Sequence, residues 1–399
     1  MNQQRVVVVG ASLAGAHTAF HLRALGHEGP LVLVGAEPQL PYERPGLSKG
    51  YLTAEIDADR LLVRPAEAYV EADIELRLST TATGVDLERR CVLLGADDLP
   101  FDALVIATGS ANVRPPIPGI ELPGVHQLRT VEDADRLRQA AANASGAVVV
   151  GMGFIGCEIA ATLHGLGLDV AAVDALPGPM WAVLGEHLSD VVRGWHEERG
   201  VRVLGGVGVA AFEGGASVER VRLADGMTLQ ADLVVVGVGA RPALGWLDDA
   251  PLHRAAGGIG VDGEGRTDQR GVFAVGDVAA VWDAAAGEHR RTEHYSSAIA
   301  QAARVAAAVL DLPPPPAKVS TFWSEQYDHY LQYAGRHEAS DDLVLRPDPF
   351  AAFFLRSGAL TAVATIDNGR DLRRSLPLLG RVVDPAVLAD PSTDLRTVA

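Results

Sequence analysis

The chain has 399 residues, enough for two or three domains that each bury a hydrophobic core. Its composition, 48% hydrophobic and 21% charged, is ordinary for an α/β protein, and the formal net charge of -17 argues against nucleic acid as a partner. We also expect no signal peptide and no membrane span, and the two cysteines, Cys91 and Cys157, form no CxxC pair, so a reducing cytoplasm is the expected location.

The first stretch of the chain predicts a βαβ dinucleotide cradle. An apolar strand from Val6 to Val9 is followed by a small-residue turn, a helix and a second strand from Leu31 to Val34. Three residues form the predicted turn: Gly10, Ser12 and Gly15. The Ser12 hydroxyl replaces the middle glycine and is able to reach a phosphate. We assign Glu37, after the second strand, to a ribose; the alternative is a solvated surface glutamate.

Two further segments of the first 111 residues are candidates for contacting the same dinucleotide. The extended loop and short helix predicted for PYERPGLSKGYL, residues 41–52, carry Arg44 and Lys49, which in isolation would be solvated cations. The apolar strand of FDALVIATGS, residues 101–110, ends in three small residues that let a cofactor pass beside the backbone: Ala107, Thr108 and Gly109.

A second and more complete cradle follows a predicted helix from Val131 to Asn143. The run AVVVGMGFIGCEIAATLHGLGLDVAAVD, residues 147–174, contains a strand, a turn, a helix and a second strand. Its turn has all three glycines: Gly151, Gly153 and Gly156. Asp174 ends the second strand, where a carboxylate binds both ribose hydroxyls and repels a 2′-phosphate. No arginine follows it directly, so NADH rather than NADPH is expected.

The second half of the chain begins with alternating segments near 201–209 and 218–223, which predict a meander that covers the second cradle. The strand Leu233 to Val236 then ends in GVGARP and mirrors ATGS. A strand ending at Gly276 and Asp277 precedes a helix from Tyr295 to Leu310; Asp277 is either a cofactor ligand or a turn former. After a proline spacer, residues 317–399 predict hairpins and a terminal helix.

Two cradles, ATGS, GVGARP and a late VGD turn resemble the two-dinucleotide flavoprotein disulfide reductase superfamily over about the first 310 residues. Finer signatures, among them GASLAG, LPYERPGLSKGYL, VGMGFIGCEIAA, EHYSSAIAQ and FWSEQYD, resemble the putidaredoxin-reductase-like family of NADH-dependent ferredoxin reductases that serve bacterial oxygenases. The resemblance implies an α/β fold with two Rossmann-like dinucleotide-binding domains and a small α+β C-terminal domain. It implies FAD parts at 1–111 and 237–315, an inserted NAD part at 112–236 and a C-terminal domain at 316–399.

The cradle residues and those that the resemblance adds make two expected contact sets. The FAD set is Gly10, Ser12, Leu13, Ala14, Gly15, Glu37, Arg44, Lys49, Ala82, Ala107, Thr108, Gly109, Arg129, Gly276, Asp277 and Tyr295. The NAD set is Gly151, Gly153, Phe154, Ile155, Gly156, Glu158, Asp174 and Gly239. The sequence departs from the family pattern at three positions: Ala36, Gly46 and Tyr295.

The catalytic residues implied by the resemblance are Lys49 and Glu158. We expect Lys49 to lie beside the flavin N5 atom and to pair with Glu158 near the nicotinamide; the alternative for Glu158 is an acid that stabilises its helix N-terminus. Electrons would then pass one at a time to a two-iron ferredoxin that feeds a haem monooxygenase or ring dioxygenase. Trp323 is either an aromatic near the flavin edge or a core residue.

A cluster of four arginines near the C-terminus is a hypothetical docking surface for an acidic ferredoxin, although a basic run is more often a solvated face. Its members are Arg370, Arg373, Arg374 and Arg381.

Rival functions within the superfamily need features that the sequence lacks. A disulfide reductase or NADH oxidase needs a redox cysteine in residues 38–60, which contain none, and we interpret Cys91 and Cys157 as packing residues. A flavin monooxygenase would not need so complete a second cradle. An apoptosis-inducing-factor-like flavoprotein, whose redox state gates binding to a macromolecule, remains the non-enzymatic alternative.

Overall fold

The computed structural model describes residues 3–95 and 97–398, which fold into two compact units. The first unit contains 3–43, the described part of 58–111, and 241–320; the second contains 44–57, 112–240 and 321–398. Within the described residues, no helix has both the length and the apolar character needed to cross a bilayer.

The first unit is built on a five-stranded parallel sheet with apolar side chains on both faces. In spatial order its strands are Val272–Ala274, Ala103–Ile106, Val6–Val9, Leu31–Val34 and Glu75–Arg77. The four valines of Val6–Val9 are all buried, as expected for a central strand covered on both faces.

Helices and two smaller sheets complete the first unit. Its α-helices are Leu13–Ala24, Ala66–Glu71 and Tyr295–Val309. Its 3₁₀ turns are Ala58–Leu61, Gly245–Leu247 and Gly276–Val278. One smaller sheet contains Gly84–Asp86, Cys91–Leu93 and Asp98–Pro100, and another contains Arg254–Ala255, Gly258–Val261, Ala279–Asp283 and Glu288–Arg291.

The second unit has a parallel sheet of the same kind. Its strands in spatial order are Arg202–Gly205, Asp169–Asp174, Gly146–Val150, Leu233–Val236 and Val125–His126. Its helices are Val131–Ala141, Phe154–Gly165 and Trp181–Glu197, and its 3₁₀ turn is Pro45–Ser48. A three-stranded meander, Val209–Gly214, Val218–Leu223 and Thr228–Gln230, packs on the sheet. Strands Ser110–Asn112 and Ala240–Pro242 lie where the chain crosses between the units.

Residues 321–398 of the second unit form a five-stranded antiparallel sheet with short helices. In spatial order the strands are Thr321–Gln326, His329–Gly335, Ala359–Ile366, Ala351–Arg356 and Asp342–Arg346. The helical segments are Gly369–Ser375, Leu376–Leu378, Pro385–Ala389 and Leu395–Thr397. The predicted terminal helix is therefore several short helical segments.

The predicted strands Val6–Val9, Leu31–Val34 and Leu233–Val236 are confirmed. The prediction that residues 201–209 belong to the meander is wrong at its start, because Arg202–Gly205 pairs in parallel with Asp169–Asp174 in the main sheet. Val201 and Val203 are buried in this position. The helix Trp181–Glu197 makes the crossover that a parallel strand requires, so the meander begins only at Val209.

Candidate cofactor and active site

The first glycine turn leaves no space for side chains at its outer positions. Gly10 has a φ of +121°, and a Cβ atom there would lie 2.2 Å from the carbonyl oxygen of Ala107. A Cβ atom on Gly15 would lie 2.0 Å from the carbonyl oxygen of Gly10. Strand, turn and helix therefore meet so closely that only glycine fits.

The helix Leu13–Ala24, which follows this turn, begins without an acidic residue in its first turn. Ser12 occupies the N-cap position but makes no capping hydrogen bond. The first backbone N–H groups thus lack a side-chain acceptor, which is the arrangement that a phosphate completes. Gly276 approaches the same helix end, since a Cβ atom on it would lie 3.0 Å from Cβ of Ala14.

The ATG segment lies against the first glycine turn and is held by backbone hydrogen bonds. The Ala107 N–H donates to the Val9 carbonyl at 2.8 Å, and the Gly109 carbonyl accepts from the Ala243 N–H at 2.9 Å. The Thr108 hydroxyl donates to the Ala243 carbonyl at 2.9 Å. Nearby, the Ser110 hydroxyl donates to Asp277 Oδ2 at 3.2 Å. The ATG segment itself consists of small residues, which let a dinucleotide pass beside the backbone.

The remaining predicted FAD contacts of the first unit lie at half-buried positions. The Tyr42 hydroxyl donates to the carboxylate of Glu37. The Tyr295 hydroxyl donates to Glu43 Oε1 at 2.6 Å, and burial together with this acceptor raises the pKa of Tyr295. Ala82 is half-buried and packs on one face of the sheet. Glu43 is an acidic partner that the sequence pattern did not reveal.

The second glycine turn repeats the first with one difference. Cβ atoms on Gly151 and Gly156 would lie 2.4 Å from the Gly237 oxygen and 1.8 Å from the Gly151 oxygen. A Cβ atom on Gly153 would meet nothing within 4 Å. Gly153 is the N-cap of Phe154–Gly165, a helix without an acid in its first turn. The middle position thus faces open space beside a positive helix end, and a pyrophosphate fits there.

Asp174 ends the neighbouring strand and holds the second glycine turn. Its Oδ2 accepts from the Met152 N–H at 2.6 Å, and its Oδ1 accepts from the Leu176 N–H at 2.8 Å. Each carboxylate oxygen has a second lone-pair direction, so the side chain is still able to accept from ribose hydroxyls.

Two apolar side chains near the second turn are exposed, and a bound cofactor would cover them. Ile155 and Val238 are each 40% exposed, and Val238 immediately precedes Gly239. Phe154, by contrast, packs edge-on against Phe322 with ring centroids 4.6 Å apart. These features, together with the two cradles, fit a dinucleotide.

Glu158 lies in the helix after the second turn and forms an ion pair with Lys49. The Lys49 Nζ atom is 2.7 Å from Glu158 Oε2, and the side chains are 18% and 4% exposed. The Ser48 hydroxyl donates to the same oxygen at 2.5 Å. The Thr162 hydroxyl donates to the Ser48 carbonyl at 2.7 Å and so ties this segment to the helix. The predicted Lys49–Glu158 pair is thereby confirmed.

Arg44 and Arg129 also lie together in the second unit. The guanidinium of Arg44 donates to the carbonyl of Arg129, whose own N–H donates to Asp133 Oδ2 at 3.0 Å. The structure thus brings together two predicted FAD contacts that are 85 residues apart in sequence.

Three side chains around Glu158 escaped the sequence analysis: Ser48, Ser324 and Gln326. Ser324 donates to Glu158 Oε1 at 2.9 Å, and Gln326 donates to Ser324 at 3.0 Å. A signal was present, because the strand Thr321–Gln326 alternates and places polar Ser324 and Gln326 on its buried face with Phe322. Polar residues on the buried face of a strand need partners.

The two thiols have the surroundings of packing residues. Both are buried and free, and burial raises the pKa of Cys91 and that of Cys157. The Cys157 thiol donates to the Met152 carbonyl at 3.3 Å. No group of His, Cys, Asp and Glu side chains in 3–95 and 97–398 is arranged to hold a metal ion.

The C-terminal arginines surround a cavity of about 510 Å³, which we call the arginine cleft. Its lining residues are Arg370, Arg373, Arg374, Pro377, Leu378, Arg381, Leu395, Arg396 and Val398. Asp394 lies 3.6 Å from Arg374 and 2.6 Å from Arg396. Trp323 is half-buried on the strand Thr321–Gln326.

Comparisons with known proteins agree with this geometry. Residues 4–302 match the family model described as pyridine nucleotide-disulphide oxidoreductase, and residues 321–399 match that described as reductase C-terminal. The chain is 39% identical to the probable ferredoxin reductase CtmF of Castellaniella defragrans, with 99% of each chain covered. It is 36% identical to the benzene 1,2-dioxygenase system ferredoxin–NAD(+) reductase subunit of Pseudomonas putida, over 98% of this chain and 97% of that protein.

Among solved structures, the chain is similar to the reductase in the covalent putidaredoxin reductase–putidaredoxin complex. The TM-score is 0.94 at 32% identity, over 98% of this chain and 97% of that one.

Proposed function

This chain belongs to the pyridine nucleotide-disulphide oxidoreductase family, and we propose that it acts as an NADH-dependent, FAD-containing ferredoxin reductase. The acceptor would be a two-iron ferredoxin that feeds an oxygenase. Relatives that are named ferredoxin reductases, and that this chain matches over nearly their full length, support this assignment.

The ion pair between Lys49 and Glu158 is the observation in the structure that supports the proposal most directly. A lysine ammonium is held by a buried glutamate on the helix that follows the second glycine turn. Lysine is rare here, since the sequence has two, and one of them is placed in this partly buried pair. Because removing a charge from water costs free energy that the ion pair does not necessarily recover, a role in function accounts for this pair better than a role in stability.

The residues would divide the work in the following way. The two glycine turns and their helix ends would bind the two pyrophosphates, and Asp174 would accept from the adenosine ribose of NADH and repel a 2′-phosphate. The chemistry supplied by bound FAD is acceptance of a hydride followed by donation of two single electrons. Glu158 would hold Lys49 so that its remaining N–H donors point toward the cofactor.

The remaining predicted contacts stay part of the proposal. For FAD they include Thr108, Asp277 and Tyr295. We also keep the proposed division into FAD parts at 1–111 and 237–315, an NAD part at 112–236 and a C-terminal domain at 316–399. We propose the arginine cleft as the docking surface for an acidic ferredoxin, since five arginines line it in a chain with net charge -17.

A cytoplasmic location also belongs to the proposal. It is supported by two free thiols, both buried, which are typical of a reducing compartment.

Spectroscopy and turnover test the proposed function. The purified protein is expected to be yellow, and anaerobic NADH is expected to bleach its flavin absorbance. Cytochrome c reduction should then depend on added two-iron ferredoxin. A protein that takes up no flavin contradicts the assignment. Bleaching without ferredoxin-dependent turnover favours the redox-gated binding protein instead.

A further inference from the structure

Glu158 is one end of a chain of hydrogen-bonded side chains that runs through the second unit. Ser324 Oγ lies 2.9 Å from Glu158 Oε1, and Gln326 Nε2 lies 3.0 Å from Ser324 Oγ. Gln326 Oε1 is 3.1 Å from His196 Nε2, and His196 Nδ1 is 2.8 Å from the Tyr327 hydroxyl. Glu158, Ser324, Gln326 and His196 are all at most 4% exposed, so water does not compete for these groups.

The charge on Glu158 decides the direction of every bond as far as Gln326. An ionised carboxylate only accepts, so the Ser324 hydroxyl must donate to it. The Ser324 oxygen is then left to accept, and the Gln326 amide donates to it. The same amide nitrogen faces Met180 Sδ at 3.5 Å, a weak acceptor that suits an N–H group. The carbonyl oxygen of Gln326 therefore faces His196.

The direction continues through the imidazole ring. Burial is the largest effect on the pKa of His196 and outweighs the hydrogen bond to Gln326, which acts to raise it; with a smaller lowering by Arg199, the pKa falls to about 4, so the ring is neutral at pH 7. A neutral ring has one N–H, and the Gln326 carbonyl requires it on Nε2. His196 Nδ1 then accepts from Tyr327, whose pKa is raised by burial, so that its hydroxyl stays protonated.

We propose that Gln326 and His196 are positioning residues that act through Ser324 to keep the Glu158 carboxylate directed at Lys49. In return, the charge of Glu158 fixes the tautomer of His196, which lies three hydrogen bonds from Glu158 and four from Lys49. The effect of these hydrogen bonds on hydride transfer rests on the proposed function, whereas the direction of the hydrogen bonds does not.

Removing the charge of Glu158 while keeping the shape of its side chain reverses the donor and acceptor roles along these hydrogen bonds. In Glu158→Gln, the new carbonyl faces the Lys49 ammonium, so the new NH₂ group faces Ser324. Ser324 then accepts from residue 158, and because its buried O–H needs an acceptor, it donates to Gln326, whose amide rotates. The Gln326 NH₂ group now donates to His196 Nε2, and the ring proton moves to Nδ1, where it is donated to Tyr327.

Nitrogen NMR of ¹⁵N-histidine-labelled holoprotein reads this tautomer directly. The sequence has 12 histidines, and the His196→Phe variant identifies the signal that belongs to His196. We expect the Nε2–H tautomer in the native protein and the Nδ1–H tautomer in Glu158→Gln. Glu197→Gln is the matched control, because it removes a charge next to His196 on a half-exposed side chain outside the chain of bonds. It should leave the Nε2–H tautomer in place.

A second pair of variants keeps the test decisive if Glu158→Gln does not fold. Ser324→Ala interrupts the chain, so His196 should lose its single tautomer, whereas Ser324→Thr retains the hydroxyl and should preserve it. An Nδ1–H or protonated His196 in the native protein at pH 7 overturns the inference, as does a tautomer that none of these changes moves.

The positioning role has its own readout. Ser324→Ala should slow flavin reduction about 3- to 10-fold with the Kd for NADH unchanged, and Ser324→Thr should restore the rate. If the tautomer responds but the reduction rate does not, the positioning role is wrong. If NADH fails to reduce the native protein at all, the proposed function is wrong instead.

Discussion

Lys49 and Glu158 are 109 residues apart in sequence, yet Lys49 Nζ lies 2.7 Å from Glu158 Oε2. Taking both charges out of water costs several kcal/mol in principle, and the attraction between them offsets this only when further hydrogen bonds complete the site. Ser48 and Ser324 provide those bonds, one to each carboxylate oxygen. The pair is thus a costly but well-ordered arrangement, which favours a catalytic role over a structural one.

Replacing Lys49 with methionine should slow reduction of the flavin by NADH about 10- to 100-fold, because a positioned cation is lost where charge moves. The Kd for NADH should change much less. Stopped-flow measurement of flavin bleaching at several NADH concentrations separates the two quantities. Lys318→Met, at the other lysine, which is exposed, is the matched control and should reduce at the native rate. A native reduction rate in Lys49→Met discards the catalytic assignment.

Replacing Asp174 with asparagine should lower kcat/KM for NADH about tenfold, because the amide presents a donor to backbone N–H groups and to ribose hydroxyls alike. The preference for NADH over NADPH should fall as well, since the negative charge that repels a 2′-phosphate is gone. Steady-state kinetics with both nucleotides measure the ratio. Asp169→Asn, exposed at the other end of the same strand, should change neither value. An unaltered NADH to NADPH ratio in Asp174→Asn would count against the ribose assignment.

Charge reversal in the arginine cleft should weaken the reaction with ferredoxin alone. In Arg373→Glu the KM for ferredoxin should rise about 5- to 20-fold at low salt, and the difference should shrink as ionic strength rises, because exposed charges are screened. Ferricyanide reduction should stay at the native rate. Arg202→Glu, an equal charge change on an exposed strand residue, is the control. Equal effects of the two variants would remove the docking assignment.

Asp341 is expected to make the protein's stability depend on acid pH. Burial alone would raise its pKa, but hydrogen bonds from Arg356, Thr361 and the Glu338 N–H lower the pKa to about 2. A folded-state pKa below the unfolded value of 3.8 means that the stabilisation is complete above about pH 4 and is lost as the pH falls through 2.

Asp341→Asn should therefore lower the free energy of unfolding by about 1–2 kcal/mol at pH 7 and by clearly less at pH 2. Urea denaturation at both pH values measures the difference. Asp342→Asn, at the exposed neighbouring position, should be close to native throughout. A loss in Asp341→Asn that is the same at pH 7 and pH 2 would rule out this contribution of the carboxylate.

The sequence by itself determined the two cradles. Val6–Val9 and Gly146–Val150 are short apolar runs directly followed by glycine turns, and in each turn the last glycine, Gly15 or Gly156, packs on the carbonyl of a glycine only five residues before it. The strand Arg202–Gly205 was assigned to the wrong sheet because its partner, Asp169–Asp174, lies beyond a 17-residue helix.

Only the tertiary structure decided what surrounds Glu158. The Lys49–Glu158 pair was expected through family resemblance, whereas Ser324, Gln326 and His196 had no such precedent in the sequence analysis. Ser324 is 166 residues from Glu158, and Gln326 is 130 residues from His196. Alternation along a strand shows that a polar side chain points inward, but the partner that satisfies it is supplied by the packing of distant segments.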